Sequence, residues 1–209
     1  MKAICVFCGS SPGVLPDFRE TAETLGRLLA ARGLRLVYGG GNVGLMGMVA
    51  DAVLQAGGLV TGVIPHDMAE KGVAHDHLTK LEYVQDMHER KTRMFALSDA
   101  FITLPGGLGT MEEIFEVITW AQLGYHTKPC GFLNTAGYYD HLIAFLDHAT
   151  GQGFIGQEHR AMVLVEKTPQ LLLERIETYQ PPNANKFTSA LEKTARVRGR
   201  IPGSDASAG

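Results

Sequence analysis

A doubly wound α/β fold, with helices on both faces of a parallel sheet in a three-layer α/β/α arrangement, is predicted for this chain of 209 residues by three observations. Short β-branched or aliphatic runs alternate with amphipathic helical stretches, and the runs are predominantly apolar, as strands buried on both faces must be. Glycine-rich segments follow three of those runs, where such a sheet places its binding crevice. Hydrophobic residues make up 45% of the sequence, enough for one core in a domain of the usual size of about 50 to 250 residues.

The first strand is Ala3 to Phe7, an unbroken apolar run. A helix follows from Asp17 to Arg32: Phe18, Thr21, Ala22, Leu25, Leu28 and Leu29 recur at helical spacing, and Gly33 stops it. Arg35 to Tyr38 is the second strand and Gly44 to Ala56 its helix, after which come strands at Leu59 to Ile64 and, more briefly, Leu81 to Val84. The same alternation gives a helix over Met87 to Ser98, a strand over Ala100 to Leu104, a helix over Thr110 to Leu123 and a strand over Pro129 to Leu133. Helices over Tyr139 to Gly151 and Pro169 to Tyr179 close a single domain spanning residues 1–180. From Pro181 to Gly209 the periodicity decays into prolines, scattered basic residues and a Gly, Ser, Asp and Ala ending, which predicts a mostly disordered tail.

Charge narrows the function classes. A formal net charge of -3 leaves no broad basic field, so neither a nucleic acid nor an anionic membrane is an expected partner, and an anion must be bound locally. No apolar run approaches the roughly 18 residues that span a bilayer. Cys5, Cys8 and Cys130 are an odd number of cysteines with no recognisable leader, which predicts a reduced, cytoplasmic setting. Cys5 and Cys8 lie in or beside a strand rather than at a helix start, so a buried structural role is expected instead of a redox pair. His66, His75, His77 and His88 lack a ligand spacing with Cys or carboxylate partners; polar surface positions and no metal are expected.

The three glycine-rich segments carry the chemistry. Cys8 to Gly13 follows the first strand, and Gly9 and Ser10 let a ligand approach the backbone. Tyr38 to Gly47 matches a dinucleotide fingerprint at Gly39, Gly41 and Gly44, but the next strand ends Val63-Ile64-Pro65-His66 without the acidic residue that would hold a ribose. That segment, through Gly40 and Gly41, is read as a close-backbone contact rather than an NAD or FAD site. The third, Pro105-Gly106-Gly107-Leu108-Gly109-Thr110-Met111-Glu112-Glu113, runs from a buried strand into an amphipathic helix. Free N–H groups and the helix dipole suit one phosphate there, and no Lys-Ser or Lys-Thr follows the glycines as in a triphosphate loop. A carboxylate at Glu113 would repel that phosphate, so a chemical role is expected of it, while Glu112 serves the dipole. Met87 to Met94 concentrates cations beside the crevice: Arg90 offers a planar fork to a phosphate or carboxylate, and Lys91 a point charge.

MHERK at Met87 to Lys91 followed by PGGLGTMEE at Pro105 to Glu113 resembles the paired signature of the Lonely Guy family of phosphoribohydrolases, whose members also carry a lysine decarboxylase label. The likeness extends through CGSSPG, YGGGNVGLMG and the ITWAQLG of Ile118 to Gly124, over roughly residues 1–155. The resemblance implies a Rossmann-like nucleotide-binding domain, a homodimer with active sites near the subunit interface, and hydrolysis of the N-glycosidic bond of cytokinin riboside 5′-monophosphates or AMP; the alternative reading is a non-catalytic nucleotide or cofactor carrier of the same fold, which would use the same phosphate loop. It implies Arg90 and Glu113 as catalytic residues. The implied substrate contacts are Lys91, Gly106, Gly107, Leu108, Gly109, Thr110, Met111, Glu112 and Thr119, beside Gly9, Ser10, Gly40 and Gly41. Members commonly carry a Glu three residues before the His of the segment matching Val73-Ala74-His75, and here that place is Gly72. Pyridoxal phosphate chemistry would need a Schiff-base lysine; Lys71 and Lys91, the candidates near the crevice, lack Asp and His surroundings, and no cofactor is expected.

Overall fold

A computed structural model describes residues 1–182, so the tail reading falls outside the described residues from position 183 on. Among the described residues seven strands form one sheet: β1 (Ala3–Phe7), β2 (Arg35–Tyr38), β3 (Val60–Pro65), β4 (Lys80–Val84), β5 (Ala100–Thr103), β6 (Cys130–Leu133) and β7 (Val163–Glu166). Their order is β4-β3-β2-β1-β5-β6-β7, and every pairing is parallel. The chain first moves outward from β1 to β4 and then returns to β5 on the other side. The switch between β1 and β5 opens a crevice at the carboxyl ends of the central strands.

The helices are α1 (Pro16–Ala31), α2 (Gly44–Gln55), α3 (His66–Ala69), α4 (Met87–Ala96), α5 (Leu108–Gln122), α6 (Asp140–Gly151), α7 (Gln157–Arg160) and α8 (Pro169–Glu177). Alternate strand residues feed two cores. Ile4, Leu36, Tyr38 and Ile102 pack with Leu25, Leu29, Val49 and Leu172 of α1, α2 and α8 on one face. Cys5, Val37, Val63, Phe101 and Phe132 pack with Met94, Ile114, Val117 and Leu146 of α4, α5 and α6 on the other. Both faces of the sheet are therefore dry, which is why the strands read as apolar runs.

β7 was not predicted. Its Val163-Leu164-Val165-Glu166 run is as short as β2, β5 and β6, and its register beside β6, Cys130 opposite Val163 through Leu133 opposite Glu166, makes it a strand. α5 begins at Leu108, two residues before the predicted start at Thr110, which places the last two glycine-loop residues inside the helix's first turn.

Candidate active site

Gly107 is the N-cap of α5, and no side chain caps it. The first-turn N–H groups thus have no intrahelical partner and sit at the positive end of the helix dipole. Pro105 O accepts the Gly9 N–H at 3.0 Å, so the β1 and β5 loops lie in contact. Gly106 is dictated by that contact: a Cβ there would lie 2.1 Å from Thr110 Oγ1 and 2.8 Å from the Gly9 nitrogen. Tyr138 donates its hydroxyl to Gly106 O at 2.7 Å and holds the loop from the α6 side.

Glu113 lies one helical turn beyond Gly109 and faces the same side. Its partner Arg90 comes from α4, with Arg90 Nη1 3.4 Å from Glu113 Oε1; the two side chains are only 8% and 11% exposed. Arg90 Nε donates to Val63 O at 3.1 Å, and Nη1 lies 3.7 Å from Met87 Sδ. Asp86 caps α4 by accepting the N–H groups of His88 and Glu89 at 2.9 and 2.8 Å, which sets the helix that aims Arg90 inward. Burial pushes the Glu113 carboxyl above its ordinary range, the Arg90 guanidinium and Lys91 pull it back, and Glu112 and Glu116 add to the rise.

Cys8, Gly9, Ser10, Met46, Met68, Met87, Arg90, Gly107, Leu108, Gly109, Thr110, Glu112 and Glu113 line one cavity of about 320 Å³. The structure thus brings together the catalytic candidates, most of the third glycine loop and the start of the first. Burial, then the Glu113 carboxylate, push the Cys8 thiol well up, so it sits in the wall as a neutral thiol. Three methionines were not anticipated. Met46 and Met87 fall in motifs read for glycine and charge, and Met68 is on the short α3, which no motif marks.

Other candidates lie elsewhere. Gly106 lines an adjoining hollow with Phe18, Leu45 and Tyr138 that shares Gly9, Ser10 and Gly107 with the cavity. Lys91 Nζ pairs with Glu112 and, at 3.2 Å, with Glu116; burial opposes its charge, but these carboxylates leave its ammonium raised. Met111 packs against the core beneath α5. Gly40 and Gly41 are held by the following segment: Gly40 O accepts the His75 N–H at 2.9 Å, and Gly41 bridges Ala74. Thr119 lines a separate hollow of about 110 Å³ with Phe115, Ile118 and Ile155.

His75 is a correction to the surface reading. It is 4% exposed, its Nε2 meets Asp51 Oδ1 at 3.0 Å, and its Nδ1 accepts the His77 N–H at 3.2 Å. The bridge that buries it joins segments distant in sequence, and spacing along one segment cannot show it. Among the described residues no group of three or more His, Cys, Asp or Glu is placed to hold a metal, and no helix is long and apolar enough to cross a membrane.

Comparison with known proteins places this arrangement. A family model described as "Possible lysine decarboxylase" matches residues 46–176, which include both Arg90 and Glu113. A cytokinin riboside 5′-monophosphate phosphoribohydrolase of Arabidopsis thaliana is 45% identical over 206 residues, covering 98% of this chain and 94% of its own. A second of that name from the same plant is 47% identical over 182 residues, covering 87% of this chain and 80% of its own. The solved molybdenum cofactor binding protein of Rippkaea orientalis shares the fold, with a TM-score of 0.65 at 24% identity over 85% of this chain and 97% of its own. With relatives this similar over nearly its whole described length, and with the paired Arg and Glu signature folded into one cavity, the chain belongs to the Lonely Guy family of phosphoribohydrolases.

Proposed function

We propose that this protein hydrolyses the N-glycosidic bond of nucleoside 5′-monophosphates, cytokinin riboside 5′-monophosphates and AMP, giving free base and ribose 5-phosphate. The observation that carries this reading is the buried Glu113–Arg90 pair in the same cavity as an uncapped helix N-terminus. The 5′-phosphate docks on the first turn of α5, where backbone N–H groups and the dipole offset its charge. That anchor sets the anomeric carbon beside Glu113. As the bond between sugar and base lengthens, the base leaves with the electron pair and positive charge develops on the sugar. The Glu113 carboxylate stabilises that charge and takes the proton of the attacking water, whose oxygen forms the new bond to the anomeric carbon. The departing base recovers a proton from solvent.

The decarboxylase description attached to the family model calls for a Schiff-base lysine in the cavity, and neither Lys91 nor Lys71 lines it. Lys91 is held by two carboxylates, and Lys71 is exposed and 4.0 Å from Asp67. The test is incubation with AMP and with isopentenyladenosine monophosphate, quantifying free base by chromatography; release from either supports the reading and ranks the substrates, and release from neither overturns it. Gly106→Ala is expected to raise KM about tenfold, equivalent to about 1.4 kcal/mol, because the methyl separates the two loops that shape the phosphate seat; an unchanged KM would detach that seat from binding.

The same reading makes the protein a cytoplasmic homodimer. On α5, Glu113 and Thr119 are six residues apart, about 240° around the helix, so Thr119 faces away from its own cavity. It lines a hollow with Ile118 and Ile155, and Phe145 and Phe154, the chain neighbours of its lining residues Leu146 and Ile155, are 62% and 89% exposed. A second copy covering this face buries those aromatics and brings a substrate-contacting Thr119 toward the interface. Phe154→Glu is expected to convert a dimer to a monomer in sedimentation velocity; a monomeric parent protein would refute the assembly.

A further inference from the structure

We infer that Gly39, the first glycine of the Tyr38-Gly39-Gly40-Gly41 run, is a positioning residue for the reaction proposed above: its missing side chain is the seat of the Arg90 guanidinium. A Cβ built on Gly39 would lie 1.7 Å from Arg90 Nη2 and 2.9 Å from Cζ. Backbone conformation does not explain the glycine, because Gly39 is not among the residues with positive φ, whereas its neighbour Gly40 has φ +75°. Tyr38 points into one core and Val37 into the other, so the residue after Tyr38 presents its α-carbon to the α4 and α5 face. There the guanidinium lies across the carboxyl ends of adjacent strands, resting on Gly39 after β2 and donating from Nε to Val63 O of β3 at 3.1 Å. From this seat Nη1 reaches Glu113 at 3.4 Å.

The glycine run therefore divides its labour. Gly40 and Gly41 tie the loop to the segment around His75 through backbone contacts, while Gly39 makes room for a catalytic side chain from α4. The obstructed atoms are the movable end of a side chain, so a methyl at Gly39 is accommodated by displacing the guanidinium. The fold survives, and the geometry around Glu113 does not.

Gly39→Ala is expected to lower kcat about a hundredfold, the scale of an ångström-level misplacement at a reacting centre. It should also move the acid limb of the pH–rate profile upward, as Arg90→Ala does, since Glu112, Glu116 and Lys91 remain in place and only the guanidinium's pull is lost. In an Arg90→Ala background the space is vacated, and the same methyl should change neither residual activity nor Tm. Activity of Gly39→Ala within about threefold of the parent, or an equal fold-loss in both backgrounds, would overturn the seat. A Tm drop caused by the methyl in the Arg90→Ala background would show that Gly39 serves packing alone and overturn it too. The Tm comparison does not depend on turnover, so a protein that released no base would refute the hydrolase reading while leaving the seat separately testable.

Discussion

Glu113→Gln is expected to lower kcat for base release by about 10³- to 10⁴-fold, the upper range for losing a positioned acid–base group, with little change in KM. The amide keeps the shape of the side chain and its place on α5, but it can neither take a proton from water nor offset a cationic sugar. In the proposed reaction the 5′-phosphate docks on the helix N-terminus one turn away, so nucleotide affinity measured by calorimetry should persist. If Glu113→Gln retained more than about a tenth of the parent kcat, the carboxylate would have no part in the chemical step. The pH profile supplies a second check on the same residue. Because burial raises the folded-state carboxyl, activity that needs the ionised form falls as the pH drops through a value above the ordinary carboxylate range.

Arg90→Ala is expected to lower kcat/KM by about 10²- to 10³-fold, comparable with the loss of one preorganised electrostatic partner at a reacting centre. Two consequences separate it from a mere loss of fold. First, Glu113 keeps its burial but loses its largest opposing influence, so the acid limb should rise above that of the parent. Second, the carboxyl is then strongly raised relative to the unfolded chain, and its ionisation works against the folded state. The variant's stability deficit should therefore grow as pH rises through the shifted carboxyl range and shrink when Glu113 is protonated. Removing one partner of a buried pair typically costs about 3–5 kcal/mol; thermal unfolding at several pH values reads the trend. A deficit independent of pH would mean that the guanidinium acts by packing and not through the carboxylate.

Much of the site was legible from local pattern. The α5 loop stood out because glycines leading from a strand end into a helix N-terminus leave backbone N–H groups open to an anion, and Glu113 because a carboxylate there is unexpected. Arg90 stood out from its neighbours once its family signature was read, and the structure buries it while leaving Glu89 and Arg93 exposed. Lys91 was legible as a cation but not as the partner of Glu112 and Glu116, since those carboxylates belong to another helix. The methionine wall was illegible because methionine has no spacing of its own and takes its surroundings from whatever packs beside it.

The division follows from range. Periodicity, helix stops and glycine-rich strand ends are properties of a few neighbouring residues, and they were sufficient for the layered α/β fold, six of the seven described strands and the glycine-led helix that follows β5. β7, the burial of His75 against Asp51, the Gly39 seat and the outward face of Thr119 each depend on segments that meet only after the sheet has closed. Their identity is a matter of contact across strands and helices, where a neighbour's backbone or charge decides what a residue does, and no local pattern carries that information.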